Sequence, residues 1–216
     1  MCIAATSLDK HAPSSYRPIS NLDFISKILE RLFLARIQSH ITSSPSFNQY
    51  QSAYRRHHST KTSILHTLDN ILHSPDSGKS TIVISLDLSA AFDTIDHQIL
   101  LSRLNTSFRI SDTTLSWLQS YLTNRTSSVR IGRHCSSSVT CTTGVPQGSV
   151  LGPLLFTAYV SPIAGITHLY SIDQQQTPMT PNCLFLYPHP TTCPISITSH
   201  AVLTPCIFGS VQMAWP

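Results

Sequence analysis

"SLDLSAAFDTIDH", residues 85–97, decides how the chain is read. It completes "TIVISLDLS" (81–89), a β-branched run that reads as a buried strand ending in Asp87. A strand that ends in a carboxylate fixes its backbone and offers the side chain at the sheet edge, where ions and water reach it. Asp87 is therefore a candidate ligand for a divalent cation, and the backbone carbonyl of Leu88 supplies a second oxygen. A lone Asp at a strand end more often serves a turn or a cap, so the surroundings must discriminate.

Upstream, "NLDFISKILERLFLARIQSHI" (21–41) sets Ile25, Ile28, Leu29, Leu32 and Ile37 on one helical face. Ser20 or Asn21 can cap its start, and Pro45 stands beyond its end. Ser59 opens a second helix with Ile64, Leu65, Leu68, Ile71 and Leu72 inward, followed by a loop over Pro75–Gly78. Downstream, "DHQILLSRL" and "SDTTLSWLQSYL", the latter capped by Ser111, are two further helices. "TNRT" (123–126) is a turn, and "SSVRIG" with "SSVTCTT" forms a hairpin. "TGVPQGSVLGPLLF" (143–156) begins as a Gly/Pro-rich loop and enters an apolar helix. Helices alternating with a few strands predict an α+β fold.

The chain has 216 residues, 41% of them apolar, which is enough for one or two domains with a core. A formal net charge of +4 admits nucleic acid as a partner without requiring it. No apolar run approaches the roughly 18 residues of a membrane span. The N-terminus lacks a basic region before its apolar patch, so no signal peptide is expected. Six cysteines without a CxxC pair read as free thiols in a reducing compartment, hence an intracellular protein of nucleus or cytoplasm. A zinc site on His134, Cys135 and Cys141 lacks paired spacing. Every charged side chain lies at or before Asp173, whereas residues 174–216 hold seven of the 14 prolines. That tail does not continue what precedes it.

"DLSAAFDTIDH" and "GVPQGSVLGPLLF" resemble the first and second palm motifs of the reverse transcriptase domain of non-LTR (LINE-like) retrotransposons. "SYRPISNLDFISKILERL" (15–32) and "QSAYRRHHSTKTSIL" (51–65) resemble its finger motifs, in the same order. The resemblance runs from about residue 9 to residue 176. It implies an incomplete right-hand polymerase: fingers over 1–80, part of the palm over 81–176, and an irregular tail over 177–216. It implies nucleotide addition with two metal ions, Mg²⁺, on clustered carboxylates. Template RNA, primer DNA and dNTP would be the partners. On this resemblance Asp87 is catalytic and, with Leu88, a metal ligand. Phe92 matches the ring that excludes a 2′-hydroxyl, Gln147 and Gly148 match the turn against nucleotide and template, and Arg17 matches a finger arginine for the triphosphate. A non-catalytic nucleic-acid-binding remnant using Arg17, Arg55, Arg56 and Lys61 is the alternative, as is a decayed element's translation with no function.

Rival motifs fail on spacing. "SGKS" needs a glycine where His73 stands and a helix after it. "QGSVLG" lacks the nucleophile-elbow pattern around Ser149. Asp96 and His97, adjacent on a helix, point apart and make no dyad.

The third palm motif of the family, Tyr-Ala-Asp-Asp followed by Thr-Gln-Leu, is due at residue 177, where "TPMTPNC" stands. The codons TAC GCC GAT GAC ACC CAA CTG T, read without their first base, become ACG CCG ATG ACA CCC AAC TGT. These encode Thr-Pro-Met-Thr-Pro-Asn-Cys, all of residues 177–183. A one-base loss at codon 177 thus accounts for both the missing aspartates and the charge-free tail. "YSID" (170–173) offers a single carboxylate, Asp173, and comes too early. Exposed sheet edge and apolar surface around 81–90 and 137–165, with marginal stability, are the expected consequence.

Overall fold

The computed structural model describes residues 2–4, 16–76, 84–86, 91–131, 133–170, 172–177 and 183–188. Strands β1 (Cys2–Ala4) and β2 (Tyr16–Pro18) form an antiparallel pair. Helices α1 (Phe24–Thr42) and α2 (Thr60–Asp76) follow, then strand β3 (Ile84–Leu86). Next come α3 (His97–Thr106) and α4 (Asp112–Leu122). The short strands β4 (Thr126–Ser127), β5 (Arg130–Ile131), β6 (His134–Cys135) and β7 (Val139–Thr140) precede α5 (Gly152–Val160) and α6 (Ile163–Leu169). Strands β8 (Ile172–Thr177) and β9 (Cys183–Pro188) complete the order. Several helices with small antiparallel sheets make this an α+β fold. No helix among the described residues is long and apolar enough to cross a membrane.

Two compact units are each built from separated stretches: 1–41 with 92–158, and 42–91 with 159–216. In the first unit, α3 buries Leu100 and Leu104 and α4 buries Leu118 and Leu122, pairs spaced i, i+4 on one face. Ile95, Phe108, Leu151 and Leu155 join this core. The Asp96 carboxylate caps α3 by accepting from Ile99 N at 2.9 Å. Ser111 stands at the N-cap of α4 but makes no side-chain cap bond; its hydroxyl donates to Asp112 at 2.6 Å instead. The expected hairpin is present as a β4–β7 pair enclosing a β5–β6 pair.

The second unit contains α2, α6 and a sheet of order β3-β9-β8, antiparallel throughout. Ser59 and Thr62 close a reciprocal capping box at the start of α2. This helix continues through Pro75 to Asp76, where a loop was expected, and so places the proline in its last turn. The tail was expected to be irregular over 177–216, yet 183–188 form β9 between β3 and β8. The reason is composition: "CLFLYP" is rich in residues that favour a paired, pleated backbone whatever its coding history. On β8, Gln174 is 2% exposed, and both of its amide atoms lack a partner among the described residues.

The inward faces of α1 and α2 require correction. Ile25, Ile28, Leu29 and Leu32 are exposed, and of that stripe only Ile37 is buried. On α2, Leu65, Leu68 and Leu72 are exposed, and Ser63 and Thr67, spaced i, i+4, are buried instead. Periodicity identifies an apolar stripe but not what covers it. The helix of residues 24–42 also starts past Ser20 and Asn21, so neither residue caps it. Of the stretches expected to expose apolar surface, the burial of 81–90 lies outside the described residues, and over 137–165 Val139 is exposed whereas Val145, Leu151, Leu154–Val160 and Ile163 are buried. Apart from Thr157 the helix there is apolar, and Leu154 to Val160 are all buried.

Candidate functional site

The two motifs at 92–97 and 143–152 are bound to each other in the first unit. Val145 N donates to Phe92 O and Gly144 N donates to Ile95 O, both at 2.7 Å. Asp96 and Thr143 form an isolated antiparallel bridge. The His97 Nε2–H donates to Gly144 O at 2.7 Å, so Asp96 and His97 serve different partners. Gly144 has φ +83°, and a Cβ there would lie 2.9 Å from Asp93 O. Only glycine allows this approach. The Phe92 ring, half-buried, sits 5.4 Å from that of Phe156 at 46°.

The turn at 146–149 is held from three directions. Its Gln147 amide donates to the Asp93 carboxylate at 3.0 Å, and Gln147 O accepts from Ser20 N at 2.9 Å. Gly148 takes φ +99°, and a Cβ there would rest in ordinary contact with Ser20 O at 3.7 Å and the Ile19 side chain at 4.0 Å. Burial raises the Asp93 carboxyl above its ordinary range, and the bond from Gln147 opposes that shift. From below, the Glu30 carboxylate, 1% exposed, accepts from Val150 N at 2.7 Å and Leu151 N at 3.1 Å. Beside it Phe33 stacks on Trp117 at 4.0 Å, and Trp117 stacks on Tyr121 at 5.6 Å. Burial also pushes the Tyr121 phenol up, and the Glu30 charge adds to the push. Sequence reasoning missed both Asp93 and Glu30. Asp93 was legible as the first acid of "FDTID", whereas Glu30 has no local signal.

Asp87 and Leu88 lie outside the described residues. Arg17 lies in β2, opposite Ile3, and its side chain is outside what is described. In the second unit, β3 ends at Leu86, level with Leu184 of β9, which pairs with Gln176 of β8. At that same end of the sheet β8 finishes at Thr177, paired with Cys183, where β9 begins. Asp173 pairs with Tyr187, three residues back along β8, or about 10 Å from that end. Arg55 donates to Gln49 O at 2.8 Å, and Arg56 and Lys61 are exposed. Cys135 and Cys141 are free thiols. Among the described residues, no three His, Cys, Asp or Glu side chains are grouped to hold a metal.

The family described as "Reverse transcriptase (RNA-dependent DNA polymerase)" matches residues 8–177, and the chain belongs to it. Its relatives mark it as a LINE-like reverse transcriptase domain. It is 34% identical over 152 residues to the "Probable RNA-directed DNA polymerase from transposon BS" of Drosophila melanogaster, covering 70% of this chain and 17% of that protein. The X-element relative from the same fly is 36% identical over 147 residues, 68% of this chain and 16% of the relative. The jockey polymerase, also from that fly, is 30% identical over 161 residues, 74% of this chain and 17% of the relative. The chain thus spans about a sixth of the length of the curated relatives it matches. Members of the family use divalent metal ions and bind nucleic acid template and primer.

Proposed function

We propose that this chain derives from the fingers (1–80) and part of the palm (81–176) of a retrotransposon RNA-directed DNA polymerase, and that it does not itself polymerise. A one-base loss at codon 177 removed the Tyr-Ala-Asp-Asp turn and left 177–216 out of frame. The observation that carries this reading is the sheet register. The end of β3, from which the chain runs on to Asp87, and the β8–β9 connection share one end of the sheet. The restored frame would put two aspartates at positions 179 and 180, within that connection. Residues 178–182 as they stand are Pro-Met-Thr-Pro-Asn, with no carboxylate.

Two features of the genetic code support the reading independently of synonymous choices. Met179 has the single codon ATG, so its last base with the first two of Thr180 spells GAC, aspartate. The last base of Asn182 with the first two of Cys183 spells TTG or CTG, both leucine. These are the fourth and seventh residues of Tyr-Ala-Asp-Asp-Thr-Gln-Leu. The family match also stops at residue 177.

The donor set present does not fit a two-ion site. Mg²⁺ keeps its water shell against a single carboxylate, and Asp173 lies too far along its strand. Primer extension with Mg²⁺ tests the reading on the chain as it stands, on its Asp87→Ala variant, and on a chain with one base returned before codon 177. Extension is expected from the restored chain alone. Extension by the present chain that Asp87→Ala abolishes overturns it, as do codons at 177–183 incompatible with the shifted reading. Salt-dependent RNA binding without extension in either form would favour a binding remnant using Arg17, Arg55, Arg56 and Lys61.

A further inference from the structure

We propose that Glu30 is a positioning residue for the turn carrying Gln147 and Gly148. The role rests on the reading of that turn as the nucleotide-facing element of the parent polymerase. The geometry points to a specific task. Glu30 sits on α1 among Leu29, Arg31 and Leu32, yet it is the side chain of that turn that is buried, at 1% exposure, while Leu29 and Leu32 stay exposed. A buried carboxylate is costly unless its oxygens are satisfied. Here one oxygen accepts two consecutive peptide N–H groups, Val150 at 2.7 Å and Leu151 at 3.1 Å, and the other faces the Ser26 hydroxyl at 3.5 Å.

Those two N–H groups belong to the segment between Ser149 and the start of α5 at Gly152. Glu30 thereby fixes one side of the turn while Asp93, through Gln147, fixes the other. Ser20 N, at the foot of the same finger segment, holds Gln147 O between them. With both ends anchored, Gly148 keeps its φ of +99° beside Ser20 O. A role confined to packing α1 would be served equally by leucine, because a buried charge replaced by an apolar side chain of like volume is often tolerated.

Amide hydrogen exchange on the full chain separates the two roles. In Glu30→Leu, α4 amides are expected to keep their protection while Val150 and Leu151 exchange about tenfold faster or more. Glu30→Gln, whose amide oxygen still accepts, is expected to stay within about threefold of the parent. Should Glu30→Leu unfold, Glu30→Asp decides, since it keeps the charge and withdraws it by one methylene. In that variant, protection at 150–151 must fall while α4 stays protected. Unchanged exchange at 150–151 in a folded variant overturns the proposal, and so does equal loss of protection in α4. In the frame-restored chain, Glu30→Leu is expected to raise KM for dNTP about tenfold with kcat little changed, and Glu30→Gln to rescue it. An unchanged KM also overturns it. A restored parent that extends no primer rejects the polymerase reading, and the exchange result alone then judges Glu30.

Discussion

Gly144 and Gly165 make opposite demands on a methyl group. At Gly144 the backbone has φ +83° and a Cβ would press on Asp93 at 2.9–3.0 Å, so Gly144→Ala combines strain with a clash between the two motifs. A loss of about 2–3 kcal/mol is expected from strain of this kind. Gly165, in α6, has no neighbour within 4 Å of an added Cβ, so Gly165→Ala should stabilise by about 0.5–1 kcal/mol. Urea unfolding midpoints of both variants check the pair, and the same sign of effect for both would refute it. Asp93 makes a pH prediction. Its carboxyl is raised above 3.8 by burial, so between that value and its folded value the folded state holds a proton that the unfolded state has released. The contribution is fully present below about pH 4 and is lost as pH rises through the folded value. Asp93→Asn has no proton to lose and its amide oxygen still accepts from Gln147. Its stability relative to the parent should therefore climb as pH is raised from about 4. Parallel curves for the two proteins would contradict this.

At the scale of elements, α3 and α4 follow directly from their sequence because their apolar spacing, caps and burial agree. In α1 and α2 the spacing is equally regular, but the apolar stripe lies outward. Leu29→Lys and Leu65→Lys, at positions 51% and 64% exposed, should shift unfolding free energy by no more than about 0.5 kcal/mol. Ile41→Ala, on α1 at 0% exposure, should cost about 2–5 kcal/mol. Thermal melts of the three variants decide it, and a large loss at Leu29 would restore the inward stripe. The chemistry of the site was partly legible. Gln147, Gly148 and Phe92 belong to motifs that can be recognised along the chain. Of their supports, Asp93 lies within one of those motifs, whereas Glu30 reaches Val150 and Leu151 from 120 and 121 residues away, beyond any local pattern.

For the molecule as a whole, β9 is the strand that joins β3 to β8, although it belongs to the stretch read as out of frame. A chain ending at Gln176 should lose protection of the 84–86 amides while the amides of α3 and α4 in the other unit remain protected. Hydrogen exchange on the shortened chain reports both, and protection retained at 84–86 would show that β3 does not depend on β9.

The sequence by itself determined the family, the helices α3 and α4, the hairpin at 126–140, and the residues of the two interlocking motifs. These are carried by local spacing, by caps and by residue identity, all of which are written along the chain. Only the tertiary structure decided that Glu30 is buried while Leu29 is not, that Asp93 holds Gln147, and that "CLFLYP" lies between β3 and β8. Burial and pairing depend on which distant segments meet. A periodic pattern states which face is apolar, whereas packing chooses the face that leaves water.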